Sequence, residues 1–208
     1  MISLEDYLRN PCRTSSIPYW KCKCISVPPN MHIVHQDDYE ACKCQGWNDT
    51  VYFRLLHPLT AIPAISCTGI AFCVVEINSI DSLVRHINTC YTDLQVSKEQ
   101  MLGYTQTAAY CPNLWLFAKD ASSGEILGSG IADYDEETRE LILEWIQVLP
   151  VHRRKGVGQG IVNELLRRRP PNASFATVSG KADSISHPET LYRRCGFSGH
   201  DYWHILSK

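Results

Sequence analysis

The stretch ELILEWIQVLPVHRRKGVGQGIVNELLRRR, residues 140–169, decides how the rest of the chain is read. It opens with a dense apolar run, Leu141-Ile142-Leu143 and Trp145-Ile146-Gln147-Val148, broken by one acid, Glu144. β-Branched residues bounded by turn signals predict a strand buried on both faces. The run stops at Leu149-Pro150, a basic segment Arg153-Arg154-Lys155 follows, and then Gly156-Val157-Gly158-Gln159-Gly160. Beyond the glycines, Val157, Ile161 and Leu165 recur at helical spacing with Val162 and Leu166 beside them, which predicts an amphipathic helix. Pro170 and Pro171 end it just after three arginines suited to its negative end.

A strand that runs through glycines into a helix can seat a phosphate. Glycine lets the backbone come close to a ligand, and the first turn of a helix offers N–H groups and partial positive charge. Arg153, Arg154 and Lys155 add charge-assisted contacts. The segment is not a Walker loop, which needs Gly-Lys-Ser/Thr, nor the Gly-x-Gly-x-x-Gly of a dinucleotide fold.

Arg153-x-x-Gly156-x-Gly158, after a strand and opening a helix, resembles the acyl-CoA pyrophosphate loop of the GNAT superfamily of N-acetyltransferases. Leu191-Tyr192-Arg193-Arg194-Cys195-Gly196-Phe197 is similar to the Leu-Tyr-x-x-x-Gly-Phe signature that closes the same fold. The resemblance spans residues 70–208 and implies an α+β fold, a mixed but mostly antiparallel central sheet flanked by helices, with residues 1–69 as an N-terminal extension. It implies acetyl-CoA as co-substrate, its pyrophosphate on backbone N–H groups from Arg154 through Gly156, Val157 and Gly158 to Gln159. The pantetheine arm would run beside Ile146, Gln147 and Val148, and an N–H near Val148 would polarise the thioester carbonyl. Glu144 is then the base that takes a proton from an attacking primary amine, and Tyr192 the acid that protonates the departing thiolate. Relatives often carry Asn before the Tyr-containing helix; here Ser184-Ile185-Ser186-His187-Pro188 stands instead.

The remaining elements follow from local signals. From residue 70 on they read β-α-α-β-β-β-α-β-α-β, the order the resemblance implies. Strands are predicted over 70–77, 114–119, 125–133, 175–178 and 201–206, and a brief helix over 188–194. Ser79 or Asp81 caps a helix with Leu83, Ile87 and Cys90 or Tyr91 on one face. Ser97-x-x-Gln100 is a capping box with Val96 and Met101 placed as its hydrophobic staple, predicting a helix over 98–109. In the first third, a helical turn is expected at 4–8. Lys21-Cys22-Lys23-Cys24 alternates like a strand over 21–27, a second strand is expected at 31–35, and 51–56 reads as the start of a helix ending near His57-Pro58.

Bulk properties exclude several classes. A net charge of −2 and 20% charged residues do not advertise a nucleic-acid or anionic-membrane partner. The first residues, Met1-Ile2-Ser3-Leu4-Glu5-Asp6, lack the positive start and apolar core of a signal peptide, and no apolar run approaches the ~18 residues of a membrane span. A cytoplasmic enzyme is expected, so ten cysteines are read as small buried hydrophobes rather than disulfides. Cys22/Cys24 and Cys42/Cys44, with His32 and His35 between, have Cys-x-Cys spacing rather than the Cys-x2-Cys of closed zinc sites, and no metal is expected. Two functions compete: transfer of an acetyl group to an amine in a ternary complex, or an inactive acyl-CoA-binding module whose N-terminal segment docks a protein. Neither the acceptor amine nor oligomeric state is written in these residues, which leaves a homodimer open.

Overall fold

The computed structural model describes residues 2–40, 44–62, 68–91 and 94–208. The chain divides into two compact units, Leu59–Ala176 and Met1–Pro58 with Thr177–Lys208.

The Leu59–Ala176 unit contains an antiparallel meander. β3 (Ile70–Val74), β4 (Trp115–Asp120), β5 (Ile126–Asp135) and β6 (Glu140–Val148) lie side by side in sequence order. α4 (Ile80–Cys90) and α5 (Lys98–Tyr104) separate β3 from β4, and α6 (Val157–Arg167) follows β6. Successive strand residues face opposite sides, and β5 shows both. Ile131 joins Trp115 and Phe117 in a cluster with Leu83 and Ile87 of α4 and Met101 of α5. Gly130, one residue away, lies under Ile161 and Leu165 of α6. The two helical layers therefore cover opposite faces.

The capping box is formed: Gln100 N–H donates to Ser97 Oγ at 3.2 Å and Ser97 N–H to Gln100 Oε1 at 2.8 Å. Val96 and Met101 are both buried in the adjoining cluster. The predicted helix 98–109 stops at Tyr104. Gly103 is a poor helix former, and the Thr105 hydroxyl donates to the Leu102 carbonyl at 2.7 Å while the backbone tightens there. β6 is buried from Glu140 to Leu143 and only half-buried over Glu144–Ile146, so the expected two-face burial holds for its first half.

In the Met1–Pro58 and Thr177–Lys208 unit the strands run in the order β1 (Met31–His35), β8 (Ser198–Ser207), β2 (Asn48–His57), β7 (Phe175–Lys181), the last contributing from Thr177 onward. β8 pairs antiparallel with β1 on one edge and β2 on the other. α1 (Leu4–Arg9), α2 (Pro11–Thr14) and α3 (Tyr19–Cys24) precede them, and α7 (Pro188–Arg194) lies between β7 and β8. Trp203 on β8 donates its indole N–H to the Cys12 carbonyl at 2.9 Å. Residues 31–57 thus share a sheet with the last ten residues of the signature-bearing region, across the boundary drawn at 69/70 from motifs alone.

Two expectations are corrected. Residues 51–56 are strand, within β2, not helix: Val51 and Phe53 sit opposite His204 and Tyr202 of β8, and Phe53, Arg54 and Leu55 are all buried. Residues 21–24 end α3 rather than opening a strand. Pro18 precedes the helix, where its fixed φ is favourable, and Cys22 turns back on the Pro18 carbonyl at 3.4 Å and the Ser15 hydroxyl at 3.2 Å. Lys23 lies over the Tyr19 ring at 4.6 Å.

Cys24 is exposed, and Cys42 lies outside the described residues. Among the described residues no group of three or more His, Cys, Asp or Glu side chains is arranged to hold a metal ion, and no helix is long and apolar enough to cross a membrane.

Candidate functional site

The first-turn amides of α6 are the centre of the site. Gly156 is its N-cap with φ +83 and no side-chain cap bond; a Cβ built there meets nothing within 4 Å, so the glycine is required by backbone conformation and the space above it is open. Arg154 also has positive φ, +62, a conformation that costs a non-glycine residue and recurs at ligand-binding turns. Arg154, Lys155 and Gly156 are exposed, whereas Val157 is buried and anchors the helix to the sheet. Gly158 and Gln159 are half-buried. A left-handed turn before a helix start, flanked by two exposed cations, has the geometry and charge that suit an anion.

The seat is held close to β6 because β5 is thinned beneath α6. A Cβ on Gly128 would come within 2.7 Å of the Gln147 carbonyl oxygen and 2.8 Å of Ile161 Cδ1; one on Gly130 would overlap Ile161 Cγ2. Two glycines two apart on one strand let the helix sink onto the sheet.

β6 carries the next part. Gly128 lies opposite Val148, and the Leu149 N–H donates to the Leu127 carbonyl at 3.1 Å. Hydrogen-bonded and non-hydrogen-bonded pairs alternate in an antiparallel ladder, so the N–H and C=O of Val148 point away from β5. Ile146, opposite Gly130, shares the α6 face. Gln147 takes the other face, 2% exposed, and its Oε1 accepts the Ser129 hydroxyl at 2.8 Å.

Glu144 is a bulge. Ile131 pairs with Trp145 and Ala132 with Leu143, so Glu144 has no residue opposite it on β5. Four residues apart on a regular strand, Glu144 and Val148 would share a face; the extra residue inverts the alternation between them. Its half-buried carboxylate is aimed by the bulge instead, a device that re-directs side chains beside binding sites.

Arg153 is exposed like its two basic neighbours, but its guanidinium is tied to backbone. Its Nε donates to the Val148 carbonyl at 3.1 Å and its Nη2 to the Cys90 carbonyl, at the end of α4, at 3.2 Å. His152 Nε2 approaches Glu125 Oε1 at 3.3 Å.

His86 was not singled out in the sequence, although it fits the apolar face of α4 with Leu83 and Cys90. It is 6% exposed. Burial pushes its imidazole down to about 4, partly offset by a hydrogen bond to the Gln147 backbone, so the ring is neutral at pH 7. Its Nε2 lies 3.7 Å from the Cys90 sulfur, whose thiol burial pushes up to about 11 against the field of Arg153. An imidazole whose pKa is lower folded than unfolded makes the unfolded chain the stronger proton binder between pH 6.5 and 4. Its stabilisation is complete above 6.5 and lost as pH falls toward 4, at most about 3 kcal/mol. Urea midpoints at pH 7, 5.5 and 4 should fall in the wild type and fall less steeply in His86→Gln; equal slopes would exclude His86 as the source.

Tyr192 belongs to the other unit. It is 7% exposed and packs between Phe53 (centroids 6.1 Å) and Phe197 (5.9 Å). The end of α7 accounts for the Gly-Phe of the signature. Gly196 has φ +94, its N–H donates to the Arg193 carbonyl at 3.1 Å, and the Phe197 N–H reaches the Tyr192 carbonyl at 3.1 Å. This is a Schellman cap, in which only glycine fits without penalty and the following apolar residue packs back on the helix. A Cβ at Gly196 would also meet His57 Nε2 at 2.7 Å. Cys195 beside it is fully buried, its thiol pushed up to about 12, and a thiol held neutral is a poor nucleophile. His187, the N-cap of α7, is exposed with φ +49.

In the Leu59–Ala176 unit an antiparallel meander leads through a bulged strand into a glycine-capped, cation-flanked helix. Residues 112–199 match the family model described as Acetyltransferase (GNAT) domain. The GCN5-related N-acetyltransferase from Sphaerobacter thermophilus superposes with a TM-score of 0.71 at 18% identity, over 86% of this chain and 58% of that one. A GNAT-family acetyltransferase from Colwellia psychrerythraea gives 0.61 at 11% identity, over 85% and 64%. Diaminobutyrate acetyltransferase from Paenibacillus lautus gives 0.51 at 12%, over 66% and 94%. No curated protein sequence matches the chain. Residues 112–199 are thus similar to the GNAT acetyltransferase domain, and the chain shares the fold of these structures; it spans little more than half the length of the Sphaerobacter protein.

Proposed function

We propose that this chain transfers an acetyl group from acetyl-CoA to a primary amine by direct attack in a ternary complex. The observation that carries the reading is the α6 N-terminus: Gly156 in the left-handed conformation under open space, between exposed Arg154 and Lys155 and the first-turn amides of Val157, Gly158 and Gln159. The fold class and the family match support it. So does the Paenibacillus neighbour, a structure described as holding a diamino acid and coenzyme A.

Each residue then has a chemical task. The amides of Arg154 through Gln159 take the diphosphate. The backbone of Ile146, Gln147 and Val148 aligns the pantetheine arm, and the Val148 N–H, directed away from β5, donates to the thioester carbonyl oxygen as charge develops there. Glu144 accepts a proton from the amine nitrogen as it bonds to the acyl carbon. When the carbon–sulfur bond breaks, the Tyr192 hydroxyl protonates the sulfur, and CoA leaves as the free thiol.

Calorimetric titration with acetyl-CoA, followed by release of free CoA in the presence of short diamines, amino sugars and amino acids, tests this reading. Binding with amine-dependent release supports it; binding without release across the panel favours an inactive acyl-CoA-binding module. Arg154→Gly should be conformationally tolerated, because glycine accepts φ +62 without penalty. Combined with Lys155→Ala it should raise the acetyl-CoA Kd about tenfold at low salt, with a shallower salt dependence than wild type. An unchanged Kd would take the two side chains out of phosphate recognition.

A further inference from the structure

Three cations stand in a row before α6, but one of them faces backbone rather than the seat. The Arg153 guanidinium bridges two carbonyls: Val148, the last residue of β6, and Cys90, the last residue of α4. Both acceptors end an element of secondary structure. A helix terminates in carbonyls without intrahelical partners, and a cation there also meets the negative end of its dipole. Val148 is the residue whose N–H and C=O turn away from β5. The loop between is closed on itself: the His152 N–H donates to the Leu149 carbonyl at 2.8 Å and the Arg153 N–H to the Pro150 carbonyl at 3.3 Å. Arg153 therefore returns to the strand from which its own loop departed. His86, one turn before Cys90 on α4, ties the same two elements through the Gln147 backbone.

We propose that Arg153 is a positioning residue, whose guanidinium holds the end of β6 against the end of α4 so that the Val148 N–H presents to the acyl carbonyl, while Arg154 and Lys155 serve the phosphates. This rests on the acetyl-transfer reading above. Arg153 reaches the two carbonyls from two different nitrogens, Nε and Nη2, held in one rigid plane; a lysine keeps the charge but gathers its donors on a single nitrogen at the end of a flexible stem, so the fixed fork is lost. A phosphate contact, by contrast, depends on charge first and would be largely restored by lysine.

The test uses the full-length chain with Arg153→Ala and Arg153→Lys. Acetyl-CoA affinity is measured by calorimetry, inorganic pyrophosphate serves as competitor, and turnover is followed with the amine that the panel identifies. Peptide-level hydrogen exchange is read over 86–91 and 145–151. Positioning predicts turnover down by about tenfold or more in both variants, Kd values for acetyl-CoA and pyrophosphate within about threefold of wild type, and faster exchange in both peptides. A tenfold loss of acetyl-CoA and pyrophosphate affinity in Arg153→Ala that Arg153→Lys restores would make the residue a phosphate contact and overturn the assignment. So would turnover and exchange that both stay at wild-type values. If the wild-type chain itself fails to bind acetyl-CoA, the acetyl-transfer reading falls and this one with it, an outcome visible before any variant is made.

Discussion

Glu144→Gln is expected to slow acetyl transfer by about 10²-fold while leaving the Kd for acetyl-CoA unchanged, the size of effect that follows loss of a positioned base. The substitution keeps the size and planarity of the side chain and removes its capacity to take a proton from the amine. Two features make the position specific. The residue is half-buried in a strand whose first four residues are fully buried, and it is the one residue of β6 that the β5 ladder skips. A bulge leaves the side chain less constrained by strand alternation, and its placement depends on local backbone geometry. Glu144→Asp should therefore also lose rate, because the carboxylate retracts by one methylene from a fixed backbone. A carboxylate with a purely structural task predicts the opposite pattern: a lower melting temperature for Glu144→Gln with kcat near wild type. Single-turnover rates at saturating acetyl-CoA, read beside thermal melts, separate the two.

What could be read from the residues alone was whatever is local. The α6 stripe, the Ser97–Gln100 capping box and the glycine ending α7 are decided within a few residues of themselves, and each is found where its local chemistry put it. The β5 glycines were visible as letters, but their purpose required knowing that Ile161 packs on them. Alternation misled at Lys21-Cys22-Lys23-Cys24, since four residues satisfy a two-residue period while Tyr19 and Cys22 also satisfy a helical one. At 51–56 the strand is fixed by β8, about 150 residues later, and nothing in Val51-Tyr52-Phe53-Arg54 announces that partner. The bulge at Glu144 is likewise a property of two strands rather than one. Arg153 shows the same limit: its spacing marked it as one of three equivalent cations, and only the Cys90 carbonyl, 63 positions earlier, distinguishes it.

Gly130→Val should destabilise the Leu59–Ala176 unit, and the site should weaken with it. The first atom added to Gly130 already overlaps Ile161 Cγ2 and lies 3.1 Å from Leu165 Cδ1; both belong to fully buried side chains of α6. Leu165 can move its methyl end, but Ile161 is branched at Cβ and has little rotamer freedom in a helix. The helix must lift, and overpacking of this kind costs about 1–3 kcal/mol, more when the backbone has to shift. For a chain of this size that corresponds to a fall in Tm of roughly 2–12 °C. Since the amides of the proposed phosphate seat are the first turn of the same helix, acetyl-CoA affinity should fall too, whereas a surface substitution of equal cost would spare it. The cause can be isolated with a cycle. Gly130→Ala destabilises by the same overlap in smaller measure, and Ile161→Ala by the cavity it leaves. Their combination fills part of that cavity with the new methyl, so the double variant should be more stable than the sum of the single losses by about 1 kcal/mol. Strict additivity in urea unfolding would mean that Ile161 is not what makes glycine necessary at position 130.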